Sequence, residues 1–207
     1  MEDVLDLYAE PEDPRRPRIC FDECPYQLMR ETRQPLPAKP GKPERYDYEY
    51  QREGTCNLFM FVRPHTGWRH VKVTERRTKQ DFAHCMKELV DLHFPEADRI
   101  RIVLDQLNTH TPAALYEAFA PAEAHRILRK LEFHYTPKHG SWLNMAEIEL
   151  SVLNNQCLDR FLPDTPLLQH EVTAWEQRRN DDQATIHWRF TAHDARVKLN
   201  RLYPSNP

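Results

Sequence analysis

The sequence predicts an α/β fold in which helices pack on a mixed sheet. Three observations carry this: short segments rich in β-branched and aromatic residues, longer segments with a 3.6-residue apolar period, and their order along the chain. That order reads strand, hairpin, helix, strand, helix, strand, helix. With 207 residues, 40% hydrophobic and 29% charged, the chain is large enough for one buried core and too short for two full ones. The same balance excludes a disordered, collagenous or coiled-coil chain.

Residues 1–17 are expected to be an N-terminal linker, because Pro11, Pro14 and Pro17 cannot continue a helix or a central strand. The proline cluster over 35–43 is read as an extended loop for the same reason. Arg18-Ile19-Cys20-Phe21-Asp22 predicts a short strand ending on acid, with Ile19 and Phe21 on one face and Cys20 and Asp22 on the other. Residues 56–62 and 68–74 predict a hairpin closed by Arg63-Pro64-His65-Thr66-Gly67. Thr78, with Asp81 three residues on, predicts a capping box opening a helix that runs to about Phe94 and stops before Pro95. The β-branched run over 99–105 predicts a second strand ending on acid, Asp105. Short helices are expected over 113–119 and 122–130, a strand over 131–135, and a helix over 142–158 with Ser141 as its N-cap. Helices over 167–179 and 191–202 follow. Residues 18–160 are thus expected to form the main domain, and 161–207 a C-terminal helical extension packed on it.

The longest run of strong hydrophobes, over 58–62, is far below the roughly 18 residues a membrane helix needs, and the acidic start lacks a signal peptide's basic region. A cytoplasmic chain without a membrane partner is expected. Five cysteines with no CxxC pair fit neither a disulfide framework nor a zinc ribbon, and are read as reduced, mostly buried thiols. The histidines lack HExxH or paired Cys/His spacing, which argues further against zinc. A net charge of −3 argues mildly against a nucleic-acid partner. Its distribution does not: residues 1–14 hold six acids and no base, whereas 63–79 hold six bases and one acid. A locally basic surface is therefore expected.

Asp22 and Asp105 end predicted strands, where side chains of an open sheet emerge beside a ligand crevice. A third carboxylate comes from the helix after Ser141. At 100° per residue, Leu143, Ala146, Leu150, Leu153 and Cys157 form one apolar stripe, and Met145, Ile148 and Val152 a second. Glu147 shares one remaining gap with Asn144, Ser151 and Asn154, and Glu149 lies in the other with Gln156. Helical geometry allows either glutamate to face a site. Three carboxylates converging from two strand ends and a helix suit a pair of Mg²⁺ or Mn²⁺ ions, since hard cations take oxygen ligands.

The segments Ile19-Cys20-Phe21-Asp22-Glu23, Val103-Leu104-Asp105-Gln106-Leu107-Asn108-Thr109-His110 and the run from Tyr135 through His139-Gly140-Ser141-Trp142-Leu143-Asn144 to Glu147 resemble the catalytic motifs of the bacterial IS630 transposases, relatives of the eukaryotic Tc1/mariner group. The tail from Trp188 to Arg196 resembles that family's C-terminal end. The resemblance implies an RNase H-like fold with a DDE triad of Asp22, Asp105 and Glu147 as catalytic and metal-binding residues. It selects Glu147 by the family's spacing from the Leu143-Asn144 pair. Two departures are Gln106 where many relatives have Asn, and a long interval of 42 positions from Asp105 to Glu147. No helix-turn-helix module fits before Asp22, so the chain is expected to be a catalytic half.

The activity implied is metal-dependent cleavage and strand transfer of DNA, with two ions per site, insertion at TA and a homodimer or an assembly with full-length transposase. Asn108, His110, Lys138, His139 and Asn144 are candidates for orienting a carboxylate or touching DNA. The four tryptophans are read as core or interface aromatics rather than base-stacking platforms. Two other readings compete: a catalytically idle partner that restrains the full-length enzyme, and a structure-specific nuclease without strand transfer.

Overall fold

The computed structural model describes residues 1–33, 36–43, 45 and 49–203. Among them, five strands form one sheet: β1 (Arg18–Glu31), β2 (Tyr50–Arg63), β3 (Trp68–Thr74), β4 (Ile100–Leu104) and β5 (Leu131–Tyr135), in the spatial order β3-β2-β1-β4-β5. β1 to β3 are antiparallel neighbours, and β4 and β5 run parallel to β1. Side-chain alternation divides the interior in two. Cys20, Leu58, Met60, Val62, Val71 and Val103 point to one face; Ile19, Phe21, Phe59, Phe61, Ile102 and Leu104 point to the other.

The second face is covered by α2 (Lys79–Glu88), α3 (Pro112–Ala118) and α4 (Pro121–Leu128), through Phe82, Met86, Leu115 and Ile127 among others. The first is covered by α1 (Glu2–Ala9), α5 (Met145–Leu153), α6 (Thr165–Asp181) and α7 (Ala192–Lys198). α2 and α5 each end in a wider π-type turn, over Leu89–His93 and Asn154–Leu158. The Thr78–Asp81 capping box is formed, and the hairpin turn falls where its residues predict.

β3 is an edge strand, and α6 closes it. The Asn180 side chain accepts a bond from the Arg69 backbone N–H (2.8 Å) and donates one to the Arg69 carbonyl (2.9 Å), while Glu176 accepts from the Val71 N–H (2.8 Å). These side chains take up backbone groups of Arg69 and Val71 that an added strand would otherwise use.

The structure corrects several expectations. Residues 1–17 are not all linker, because α1 buries Val4, Leu5, Leu7 and Tyr8 on the sheet while its acids turn outward to distant bases, Glu2 to Arg196 (2.6 Å) and Asp3 to His134 (2.9 Å). Acidic composition conceals an amphipathic helix there. β1 does not stop at Asp22. It continues to Glu31 because β2 supplies an antiparallel partner all along it, so Asp22 lies inside a strand, opposite Met60. The N-cap of the carboxylate helix is Asn144, whose side chain accepts from the Ala146 N–H (3.2 Å); Ser141 opens a separate single turn, Ser141–Leu143. In the proline stretch, Pro35 lies outside the described residues. All five cysteines are free, four buried and Cys24 half-buried, and among the described residues no helix is long and apolar enough to cross a membrane.

Candidate active site

β4 pairs with β1 only from Arg18↔Arg101 to Cys20↔Val103. Asp22 and Asp105 each lie two residues beyond the last pair, on the face shared by Cys20 and Val103, where the two parallel strands part. That is the crevice position of an open sheet. α5 packs on the same face, and its N-cap ties it to β1: the Asn144 amide donates to the Phe21 carbonyl (2.7 Å) and to Asp22 Oδ2 (3.2 Å). One fully buried side chain therefore starts the helix and holds the first carboxylate.

The two glutamates of α5 part company. Glu147, in the first turn, is exposed. Glu149 is fully buried between Arg69 (Nε at 2.9 Å) and Arg179, whose Nε and Nη2 donate to it at 3.0 and 3.2 Å. Glu149 thus locks α5 to β3 and α6. The second apolar stripe of α5 is only partly covered, with Ile148 42% exposed.

Asp22 is buried, and among the described residues its carboxylate accepts from the Glu23 N–H (2.9 Å) and the Asn144 amide. Burial, with the negative charges of Glu147 and Asp105 nearby, pushes its carboxyl up to about 7 despite the Glu23 N–H. Asp105 is the opposite case. The hydrogen bond with His110 Nδ1 (2.6 Å) holds its carboxyl below the usual range against partial burial, helped by the Leu107 N–H (3.1 Å). His110 is buried. Burial alone would discharge its ring, but Asp105 on one nitrogen and Glu23 Oε2 2.9 Å from the other outweigh this and raise it to about 9. Tyr135 donates to the His110 carbonyl (2.9 Å).

Glu23 is the residue that the sequence reading misses. It follows Asp22 on the opposite face of β1, so a search for carboxylates on one face passes over it. The signal available was an acid directly after the first aspartate paired with a histidine five positions after the second. Asn108, Lys138 and His139 are exposed. His139 takes a left-handed backbone (φ 62°), unusual for a side chain with a Cβ. Four of the six bases over 63–79 are paired with acids: Arg63 meets Glu12 (2.7 Å), buried Arg69 meets Glu149, Lys72 meets Glu88 (2.6 Å) and, at the surface, Lys79 meets Glu117 (2.6 Å). Arg77 remains near the site, 4.0 Å from Glu23.

Among the described residues, no three His, Cys, Asp or Glu side chains are drawn close enough to grip a metal ion. The donors nevertheless suit one. Asp22, Asp105 and Glu147 offer only oxygen, and Asp22 is a buried carboxylate with no cationic partner among the described residues, repelled by its neighbours. A hard divalent cation relieves that repulsion.

Residues 17–169 match the family model described as DDE superfamily endonuclease. The Mos1 mariner paired end complex with Mn is similar in fold, with a TM-score of 0.58 at 14% identity over 87% of this chain and 54% of that one. The Mos1 transposase paired-end complex with left transposon end aligns with a TM-score of 0.39 at 13% identity, over 89% of this chain and 60% of that one. The chain thus spans about half the length of the first of these structures. No curated protein matches it. The mixed sheet with helices on both faces is RNase H-like, and the family match covers β1, β4 and α5 together. The chain belongs to the DDE superfamily of endonucleases.

Proposed function

We propose that this chain is the catalytic part of a DNA transposase of the IS630 and Tc1/mariner type, which cuts and joins phosphodiester bonds. Asp22, Asp105 and Glu147 would hold Mg²⁺ or Mn²⁺, two ions per site. The observation that carries the reading is the Asn144 side chain, which couples the first turn of α5, with Glu147, to Asp22 beside the end of β4.

A divalent ion, when bound, supplies Lewis-acid stabilisation of charge on the phosphoryl oxygens and makes water more acidic. The chain's own residues supply position. His110, charged between Asp105 and Glu23, fixes the orientation of Asp105. Asn144 fixes that of Asp22, and exposed Glu147 stands ready to complete the set. Water attacks phosphorus in line, one P–O bond forming as another breaks to leave a 3′-hydroxyl, and that hydroxyl then attacks target DNA. No covalent enzyme intermediate is needed. The substrate is DNA, transposon ends joined to target at TA, held by a homodimer or larger assembly in the cytoplasm.

The test is nicking of supercoiled plasmid with Mn²⁺ at low salt, where nonspecific phosphate contacts suffice to hold DNA. Nicking by the wild type and not by Asp105→Asn is the expected result. Equal nicking by both refutes the carboxylate site; nicking by neither, from folded protein that still binds Mn²⁺, refutes catalytic competence of the chain alone.

A further inference from the structure

The turn that leads into Asn144, the residue bonded to Asp22, lines a groove of about 510 Å³. Pro137, Lys138, His139 and Trp142 line it from this turn, and Met1 and Leu202 line it from the two ends of the described chain. Trp142 is 47% exposed, yet its ring is firmly backed: Trp188 stacks at 6.3 Å with planes 21° apart, and Phe190 meets it edge-on at 5.6 Å. Trp188 in turn leans on buried Tyr8 at 5.3 Å. An exposed indole held this way keeps its orientation without spending side-chain freedom on binding. The turn beneath is closely packed, because a Cβ on Gly140 would meet the Pro137 ring at 2.6 Å and its carbonyl at 2.9 Å, so glycine fits best there.

We infer that Trp142 is a stacking platform for one unpaired nucleobase of the DNA strand entering the site, with Lys138 on its phosphate. This rests on the DNA-cleaving reading above. Three features select a nucleotide as the occupant. The groove runs along the segment that leads, within two residues of Trp142, to the side chain holding Asp22. Lys138 forms no ion pair among the described residues, and Glu2 at the rim is neutralised by Arg196, leaving the wall's net charge suited to phosphate. The volume lies in the range of small-ligand sites, and every base offers a π-face to a fixed aromatic.

The probe is a single-stranded oligonucleotide carrying 2-aminopurine between thymines, titrated with the full chain in Mn²⁺. Wild type should quench the probe on binding. Trp142→Leu keeps an apolar contact with Trp188 but has no π-face; it should lose the quenching and bind the oligonucleotide roughly 5- to 150-fold more weakly. Trp142→Phe should retain much of both, which separates stacking from mere packing. Binding of the probe by Trp142→Leu with wild-type affinity and quenching overturns the inference and leaves the DNA-cleaving reading intact. Bound but unquenched probe on the wild type does the same. Folded wild type that binds neither this probe nor duplex DNA overturns both.

Discussion

Glu147 and Glu149 are two positions apart on one helix, and exchanging each for glutamine separates catalysis from stability. Glu149 is fully buried and carries the counter-charge for two arginines, one of them, Arg69, also fully buried. Glu149→Gln leaves those guanidinium groups facing a neutral amide. Removing one partner of a buried ion pair costs about 3–5 kcal/mol. For a chain of this size each kcal/mol lowers the melting temperature by about 2–4 °C, so a fall of about 6–20 °C is expected. Glu147 is exposed, and its replacement changes stability by no more than about 0.5 kcal/mol. Plasmid nicking reverses the order. Loss of groups behind a metal ligand already costs about 10–100-fold, so Glu147→Gln, which removes a proposed ligand, should lose at least the upper end of that range. Glu149→Gln, measured well below its melting temperature, should nick within several-fold of wild type. The assays are thermal unfolding by circular dichroism and plasmid relaxation in Mn²⁺. Wild-type nicking by Glu147→Gln, or a Glu149→Gln protein that melts normally and does not nick, refutes the assignment.

Three further outcomes follow from the same geometry. Asn144→Ser keeps a helix cap but cannot reach the Phe21 carbonyl and Asp22; nicking should fall further than stability, whereas Asn144→Ala loses the cap as well and about 2–4 kcal/mol in urea unfolding. Mn²⁺ at about 100 times its dissociation constant should stabilise the wild type by about 2.7 kcal/mol, seen as a rise in melting temperature, and should leave Asp22→Asn nearly unmoved. His93 packs against Trp68 and 4.5 Å from the His70 ring, near Glu88 and Glu176; burial first, and His70 second, lower its pKa. A depressed histidine contributes stability above its unfolded pKa near 6.5 that is lost as pH falls below it. The drop in melting temperature from pH 7.5 to 5.5 should therefore be smaller in His93→Phe than in wild type, and an equal drop would refute this.

Local chemistry made much of the fold legible. The Thr78–Asp81 box, the hairpin turn and the strand over 131–135 are written in adjacent residues, and the structure has them there. What escaped depends on distant partners. Glu149 looks like Glu147 until Arg69 and Arg179 arrive from β3 and α6. β1 outruns its predicted end because β2, not its own composition, sustains it. Ser141 and Asn144 are both good caps, and the choice between them is made by Phe21 and Asp22, more than 120 positions away along the chain. The two aspartates were legible as carboxylates bordering strands; that they share a face where two strands part is a matter of register.

The same Asn144 bond bears on when the proposed active site can first form. It joins positions 122 residues apart, a long-range contact of the kind that closes slowly in folding. During synthesis, β1 and β4 leave the ribosome well before α5. A nascent chain holding both aspartates still lacks the side chain that sets the first of them and the helix that brings the third carboxylate. The proposed site is therefore complete only once α5 has docked on the sheet, and under that proposal a polypeptide stalled before α5 lacks the third carboxylate it would need to cut DNA.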